Sequence, residues 1–207
     1  MRVVTDWNRY HKRVRISQRF LWVIWRAYAD LLRDIHFPEP LKIIELGCGT
    51  AYNTLQMTKL FQVDKVTLVD FNPNVLNDAQ RRLSCLNCEK EFLLRDLFSL
   101  NLNEKYDIVH SQGLLEHYPP DEQRKLIYLH RDLLTKDGVA IILVPTPNLP
   151  YRSWRGFLEK LHLWIYPDET AISKEEFKTA LESSGLQILK MKRCHLIEVG
   201  AVCRKGN

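Results

Sequence analysis

From Leu41 onward, short β-branched and apolar runs alternate with stretches whose apolar residues recur every three to four positions. Continuous apolar runs of this length mark buried strands, and the longer period marks amphipathic helices. The pattern predicts strands at Lys42–Leu46, Lys65–Asp70, Glu89–Leu94, Tyr106–His110 and Val139–Val144, with helices between them at about Ala51–Phe61, Pro73–Leu83 and Asp121–Leu134. Asn72 before Pro73 supplies an N-cap with proline at the first helical position. Lys136-Asp137-Gly138 reads as a helix stop and a turn. Beyond a Pro- and aromatic-rich connection from Pro145 to Pro167, Ser173 and Glu176 form a capping-box pattern. It opens a helix through about Ser184, and Gly185 fits the position just past its end. Two further strands, Leu186–Met191 and Leu196–Cys203, are joined by too few residues for a parallel crossover and should form an antiparallel hairpin. The expected fold class is α/β, a seven-stranded, mostly parallel sheet with an antiparallel C-terminal hairpin and helices on both faces.

Ahead of the sheet, Ile16, Phe20, Val23/Ile24, Ala27, Leu31 and Ile35 recur at helical spacing. Lys12, Arg15, Arg19, Arg26 and Arg33 share another face, with Trp22 among them. Residues 1–36 are therefore expected to form a basic amphipathic helical cap on a domain spanning 37–207. The plain reading is a helix packed on the sheet with a solvated basic face. The sharper ones are a lid over an active site, or a surface for phosphate or anionic lipid, which would put the cap in contact with a membrane surface.

The chain has 207 residues, 45% of them apolar and 27% charged, enough to bury a core without staples. No apolar run approaches the roughly 18 residues of a membrane span. Of 30 basic and 25 acidic residues, eight and three fall in 1–36, so the remaining 22 and 22 balance. A neutral globule weakens nucleic acid as the main partner. Ala27-Tyr28-Ala29 imitates a secretory cleavage site, but the apolar stretch before it is short and ends at Arg26. Five cysteines at irregular spacing point to a reducing, cytoplasmic compartment. Cys85-x-x-Cys88 is half of a zinc site, and Cys194-His195 lacks the spacing to complete it, so no metal is expected.

Four motifs sit where strands end. Glu45-Leu46-Gly47-Cys48-Gly49-Thr50 turns from strand to helix, and its glycines let the backbone approach a ligand. A dinucleotide fingerprint would place a third glycine where Tyr52 stands, so the turn suits a ligand without a pyrophosphate. Glu45 would repel phosphate and could face an ammonium. Asp70 closes the next strand, positioned to accept two hydrogen bonds from a ribose diol, and Phe71 could lie against a purine. Asp96 follows the third strand, where its carboxylate could accept from an adenine amino group beside the Leu97 N–H, although an exposed loop acid explains it equally. Ser111-Gln112-Gly113-Leu114-Leu115-Glu116-His117 follows the fourth strand.

Together these motifs resemble the class I S-adenosylmethionine-dependent methyltransferases, over about Leu41 to the C-terminus. The Gly113–His117 stretch is similar to that of the branch acting on small molecules and quinone precursors. The resemblance implies a Rossmann-like fold, S-adenosyl-L-methionine (SAM) as cofactor and S-adenosyl-L-homocysteine (SAH) as product. It also implies transfer of a methyl group to a small-molecule acceptor by in-line displacement. Gly47, Cys48 and Gly49 would approach the methionine part, with Glu45 near its amino group. Asp70 would hold the ribose and Asp96 with Leu97 the adenine, while Ser111 and Gln112 would line the floor near the sulfonium. His117 is the first candidate for a general base, or else an orienting residue, and Glu116 and His110 are lesser ones. Asp6-Trp7-Asn8-Arg9-Tyr10 only loosely resembles the family's cofactor lid. Acceptor contacts are expected from an aromatic and basic insertion over 145–172. There Tyr151, Trp154 and Trp164 would bury an apolar body, and Arg152 or Arg155 would hold a carboxylate or phosphate. Rival readings are an RNA methyltransferase, an aminopropyl transferase or cofactor-binding regulator of the same fold, and a nicotinamide-dependent dehydrogenase, which Tyr52 disfavours.

Overall fold

A computed structural model describes residues 5–8, 21–194 and 196–206. Ile16, Phe20, Lys12, Arg15, Arg19 and His195, and the side chains of Trp22, Val23, Ile24 and Ala27, lie outside the described residues. Seven strands form one sheet: β1 (Leu41–Leu46), β2 (Val63–Asp70), β3 (Glu89–Leu94), β4 (Tyr106–Gln112), β5 (Leu134–Pro145), β6 (Leu186–Cys194) and β7 (Glu198–Lys205). Their order is β3-β2-β1-β4-β5-β7-β6. The first five pair in parallel, and β7 runs antiparallel to both β5 and β6. The expected seven-stranded sheet and hairpin are therefore present. The order reverses between β1 and β4, and a crevice opens beyond the carboxyl ends of strands at such a switch point.

Successive residues alternate between two cores. Ile44, Val109, Ile142 and Ala201 face one, and Ile43, Ile108, Ile141 and Val202 the other. A sheet buried on both faces requires helices on both. Helices α1 (Leu21–Leu32), α2 (Tyr52–Met57) and α3 (Pro73–Arg82) cover one side through Tyr28, Leu31, Met57, Leu76 and Ala79. Helices α4 (Pro120–Leu133) and α6 (Lys174–Ser183) cover the other through Leu126, Ile127, Phe177 and Leu181. α1 lies hard against the hairpin: a Cβ on Gly200 would stand 2.6 Å from Leu31 Cδ1 and 2.8 Å from Cys194 Sγ. Lys190 Nζ donates to the Asp30 and Arg33 carbonyls, satisfying the helix's last turn.

Local signals hold at several ends. Asn72 Oδ1 accepts from the Asn74 N–H, the Ser173–Glu176 capping box forms, and Gly185 has φ +75°. Elsewhere the chain departs from the pattern. The stretch expected as a connection contains α5 (Leu149–Lys160), whose N-cap Asn148 accepts from the Tyr151 N–H and which has Pro150 in its first turn. α2 stops at Met57, well short of Phe61. β5 begins at Leu134, because the Lys136-Asp137-Gly138 turn is looped out within the strand: β4 runs from Tyr106 to Ile108 while β5 runs from Leu134 to Val139.

Candidate active site

Beyond β1 the backbone turns sharply, with Gly47 at φ +67°, Gly49 at +51° and Ala51 at +54°. A Cβ on Gly47 would also come within 3.1 Å of Leu114 Cδ1, so the turn packs against the loop after β4. Asp70, at the end of the adjacent strand, braces it: its carboxylate accepts from the Gly49 N–H (3.2 Å) and the Asn72 N–H (2.9 Å). Burial raises the Asp70 pKa despite those backbone donors. Asp96 follows β3 and caps the short turn Leu97–Ser99 by accepting from the Phe98 N–H (2.9 Å).

These three strand ends open on one cavity of about 370 Å³, within the range of small-molecule sites. Its lining includes Glu45, Gly47, Cys48, Gly49, Asp70, Phe71, Asp96, Leu97 and Gln112 of the cofactor candidates. Behind it runs a buried polar chain. The Thr54 hydroxyl donates to Glu45 Oε2 (2.6 Å) and lies 3.1 Å from His110 Nε2. The Tyr28 ring meets the His110 ring edge-on, and its hydroxyl donates to the Ser111 carbonyl. Burial pushes Glu45 up to about 8, with the Asp70 charge adding and the Thr54 hydrogen bond opposing. Burial, and then His130, holds His110 down at about 3, so its ring is neutral.

The other half of the cavity comes from the loop after β4, the chain between α5 and α6, and the start of β7. His117 Nδ1 donates to Asp168 Oδ1 (3.1 Å), and Asp168 also accepts from the backbone N–H (3.1 Å) and hydroxyl of Thr5. Burial raises the Asp168 pKa, but the Thr5 and His117 hydrogen bonds outweigh it and leave the carboxyl below its ordinary value. Trp7 sets its ring edge-on against His117, with centroids 4.7 Å apart. Asn8 Oδ1 accepts from the Asn72 and Asn74 amides. Segment 5–8 therefore crosses from one half of the cavity to the other.

Glu116 is 2% exposed, its Oε2 has no hydrogen-bond partner, and burial pushes its pKa well above the carboxylate range, with Glu169, Glu198 and Asp168 adding to the rise. Burial also raises Glu169, opposed by the Tyr151 hydroxyl that donates to it at 2.6 Å. Gln112 links the halves, accepting from Asn53 Nδ2 (2.9 Å) and donating to the Glu198 carboxylate.

Glu116, His117, Tyr151, Trp154 and Trp164 also line the cavity. Four expected residues do not: His110, buried in the polar chain behind the cavity, and three others. Ser111 is buried and donates its hydroxyl to His130 Nε2 (2.9 Å). Arg152 is exposed and lies outside the lining. Arg155 is engaged by Glu159, the Tyr151 hydroxyl and the Glu169 carbonyl, with its guanidinium 5.1 Å from the Trp164 ring centre. The lining also holds Tyr118, next to the motif after β4, and Tyr166 of the aromatic insertion, and it adds Asn53, Glu169 and Glu198, which sequence reasoning did not single out. Trp7 was inside the lid-like stretch and was the one signal available. Among the described residues, the lining holds six carboxylates and no lysine or arginine.

Residues 43–138 match the family model described as a methyltransferase domain. A malonyl-[acyl-carrier protein] O-methyltransferase of Bacillus cereus is 38% identical over 76 residues, covering 37% of this chain and 28% of that protein. A chloroplastic 2-methyl-6-phytyl-1,4-hydroquinone methyltransferase of Oryza sativa is 28% identical over 155 residues, 74% of this chain and 43% of its own. The chain thus spans less than half the length of either relative. In fold it is similar to the magnesium protoporphyrin IX methyltransferase of Synechocystis PCC 6803, solved with bound SAH. The TM-score is 0.66 at 19% identity, covering 99% of this chain and 90% of that one.

Proposed function

We propose that this chain, which belongs to the class I SAM-dependent methyltransferases, transfers a methyl group to a small-molecule acceptor held in the same cavity. The observation that carries this reading is the convergence of the β1 turn, Asp70 and Asp96 on one molecule-sized space. The residues present fit SAM. Asn53 Oδ1 is a buried acceptor without a partner in a residue that lines the cavity, and the positive-φ glycines bring bare backbone to it. A wall of carboxylates suits a cation.

In this reading Gly47, Cys48 and Gly49 lie along the methionine part, with Glu45 and Asn53 toward its ammonium and Gln112 near the sulfonium. Asp70 accepts from the ribose diol, Asp96 and the Leu97 N–H meet the adenine edge, and Phe71 covers its face. When bound, SAM supplies a methyl group made electrophilic by the sulfonium. The chain's own task is alignment and exclusion of water, which falls to Trp7, Trp164 and Tyr166 around the mouth. Because His117 donates through Nδ1 to an ionised Asp168, its Nε2 is the ring's proton acceptor, which makes His117 the better general base. Tyr151, Trp154 and Trp164 take the acceptor's apolar body. Arg152 and Arg155 are not assigned to it, and Ser111 supports the strand behind the cavity. No described helix is long and apolar enough to cross a membrane. The free cysteines fit a reducing, cytoplasmic compartment.

A thermal-shift series with SAM, SAH and NAD tests the reading. Ligand at about a hundredfold over Kd adds about 2.7 kcal/mol to stability, a rise in Tm of about 5–10 °C for a chain of this size. SAM and SAH should produce it, and NAD should not. A shift with NAD alone, or none with SAM and SAH, would overturn the assignment.

A further inference from the structure

The carboxylates divide between the two halves of the cavity. Glu45, Asp70 and Asp96 belong to the first three strand ends, and Glu116, Glu169 and Glu198 to the other half, beyond the glycine turn. In that second half, the unpartnered Oε2 belongs to Glu116, which is almost wholly buried. A Glu116 oxygen, a His117 ring nitrogen and a Glu169 oxygen lie within 4.8 Å of one another.

Three acceptors within that distance can share one ammonium nitrogen, whose hydrogen-bond partners about 2.8 Å away at tetrahedral angles stand about 4.6 Å apart. The same closeness admits a metal ion, and the surroundings decide between the two. Trp7 and Tyr166 flank His117 with ring centroids at 4.7 and 6.1 Å, and Tyr151, Trp154 and Trp164 complete an aromatic wall. Aromatic faces attract organic cations, and a coordinated metal ion makes no use of them. Arg155, which sequence reasoning expected to hold an anionic acceptor, is engaged elsewhere.

We propose that the acceptor is an amine, held as its ammonium by Glu116, Glu169 and His117, so that the chain is an N-methyltransferase. This rests on the methyltransferase reading above. Burial raises both glutamates toward the neutral form, and a cation beside them draws off their protons, so amine binding releases protons to solvent. For transfer, the ammonium passes one proton to the His117 ring, the general base of the reading above, which frees the nitrogen lone pair. That pair forms the N–CH3 bond as the S–CH3 bond breaks, the electrons of the broken bond stay on sulfur as a thioether, and the positive charge leaves on the methylated nitrogen.

Calorimetric titration of the full chain saturated with SAH tests this. The probes are benzylamine and phenethylamine, the carboxylate hydrocinnamate, and manganese chloride alone, each in two buffers of different ionisation heat. At least one amine should bind with buffer-dependent proton release, and hydrocinnamate should not bind. Glu116→Gln, or Glu169→Gln should the first variant not fold, should lower amine affinity about tenfold or more and leave SAH affinity within about threefold. Neither amine binding, preference for hydrocinnamate, amine affinity untouched by the variant, or manganese binding that the variant abolishes would each overturn the inference. Failure of SAH itself to bind would instead strike the methyltransferase reading.

Discussion

Replacing Glu45 with glutamine asks whether the carboxyl behind the glycine turn is held neutral by its surroundings. Burial is the main force raising it from an ordinary 4.5 to about 8. An acid whose folded pKa exceeds its unfolded one keeps a proton that the unfolded chain has already released. The resulting stability is full below the unfolded pKa and disappears as pH climbs toward the folded pKa. Each pH unit in that window costs at most about 1.36 kcal/mol. Between about pH 5 and pH 8, allowing for partial titration at both ends, the loss comes to about 3–4 kcal/mol. Two buried histidines act in the opposite sense: His110 and His130, lowered by burial to about 3 and about 4, lose stability as pH falls below 6.5. Both are present in either protein and cancel in the difference. Glutamine retains an acceptor for the Thr54 hydroxyl and has no proton to lose. Urea unfolding at about pH 5, 6.5 and 8 should find Glu45→Gln within about 1 kcal/mol of the native chain at the lowest pH and about 2–3 kcal/mol more stable at the highest. Two profiles running parallel would refute the reasoning.

Three further outcomes are expected. Asp70→Ala removes an acceptor of charge-assisted hydrogen bonds worth about 1.5–3 kcal/mol each; it should weaken SAH binding at least tenfold by calorimetry in a protein that stays folded, and undiminished affinity would end the ribose assignment. Gly200→Ala should cost about 1–3 kcal/mol by overpacking and Leu31→Ala about 2–5 kcal/mol by cavity formation. Together they should cost at least about 1 kcal/mol less than their sum, because one vacates what the other fills; strict additivity would mean that α1 does not press on β7. Trp7→Ala should speed SAH dissociation in stopped-flow about tenfold, with little change in Tm; an unchanged rate would mean that segment 5–8 does not cover the bound molecule.

Much of this architecture is legible in the linear pattern, because a sheet buried on both faces needs apolar runs and its turns need glycine, asparagine and proline. The β1 turn, Asp70 and Asp96 could be found because each stands immediately after a strand. Ser111 shows the limit: β4 is buried on both sides, so composition does not say which residue faces the cavity and which meets His130. Glu169 lies in a segment without a regular pattern and Glu198 at the start of a strand, both far along the chain from Glu116, and only the pairing of β5 with β7 brings Glu198 beside Pro145 at the cavity wall. α5 reads in sequence as a Pro- and aromatic-rich connection, although Tyr151, Trp154, Phe157 and Leu161 recur at helical spacing and Asn148 and Pro150 announce its start as Asn72 and Pro73 announce that of α3.

The insertion of β7 between β5 and β6 has a consequence during synthesis. Until residues 198–205 have left the ribosome, β5 exposes an unpaired apolar edge and β6 has no neighbour at all. Val199, Ala201, Val202 and Cys203, all buried in the finished sheet, are the residues that close that gap. A nascent chain stalled just short of them would be an open template for strand addition. The hairpin is thus where chaperone dependence and truncation damage should concentrate.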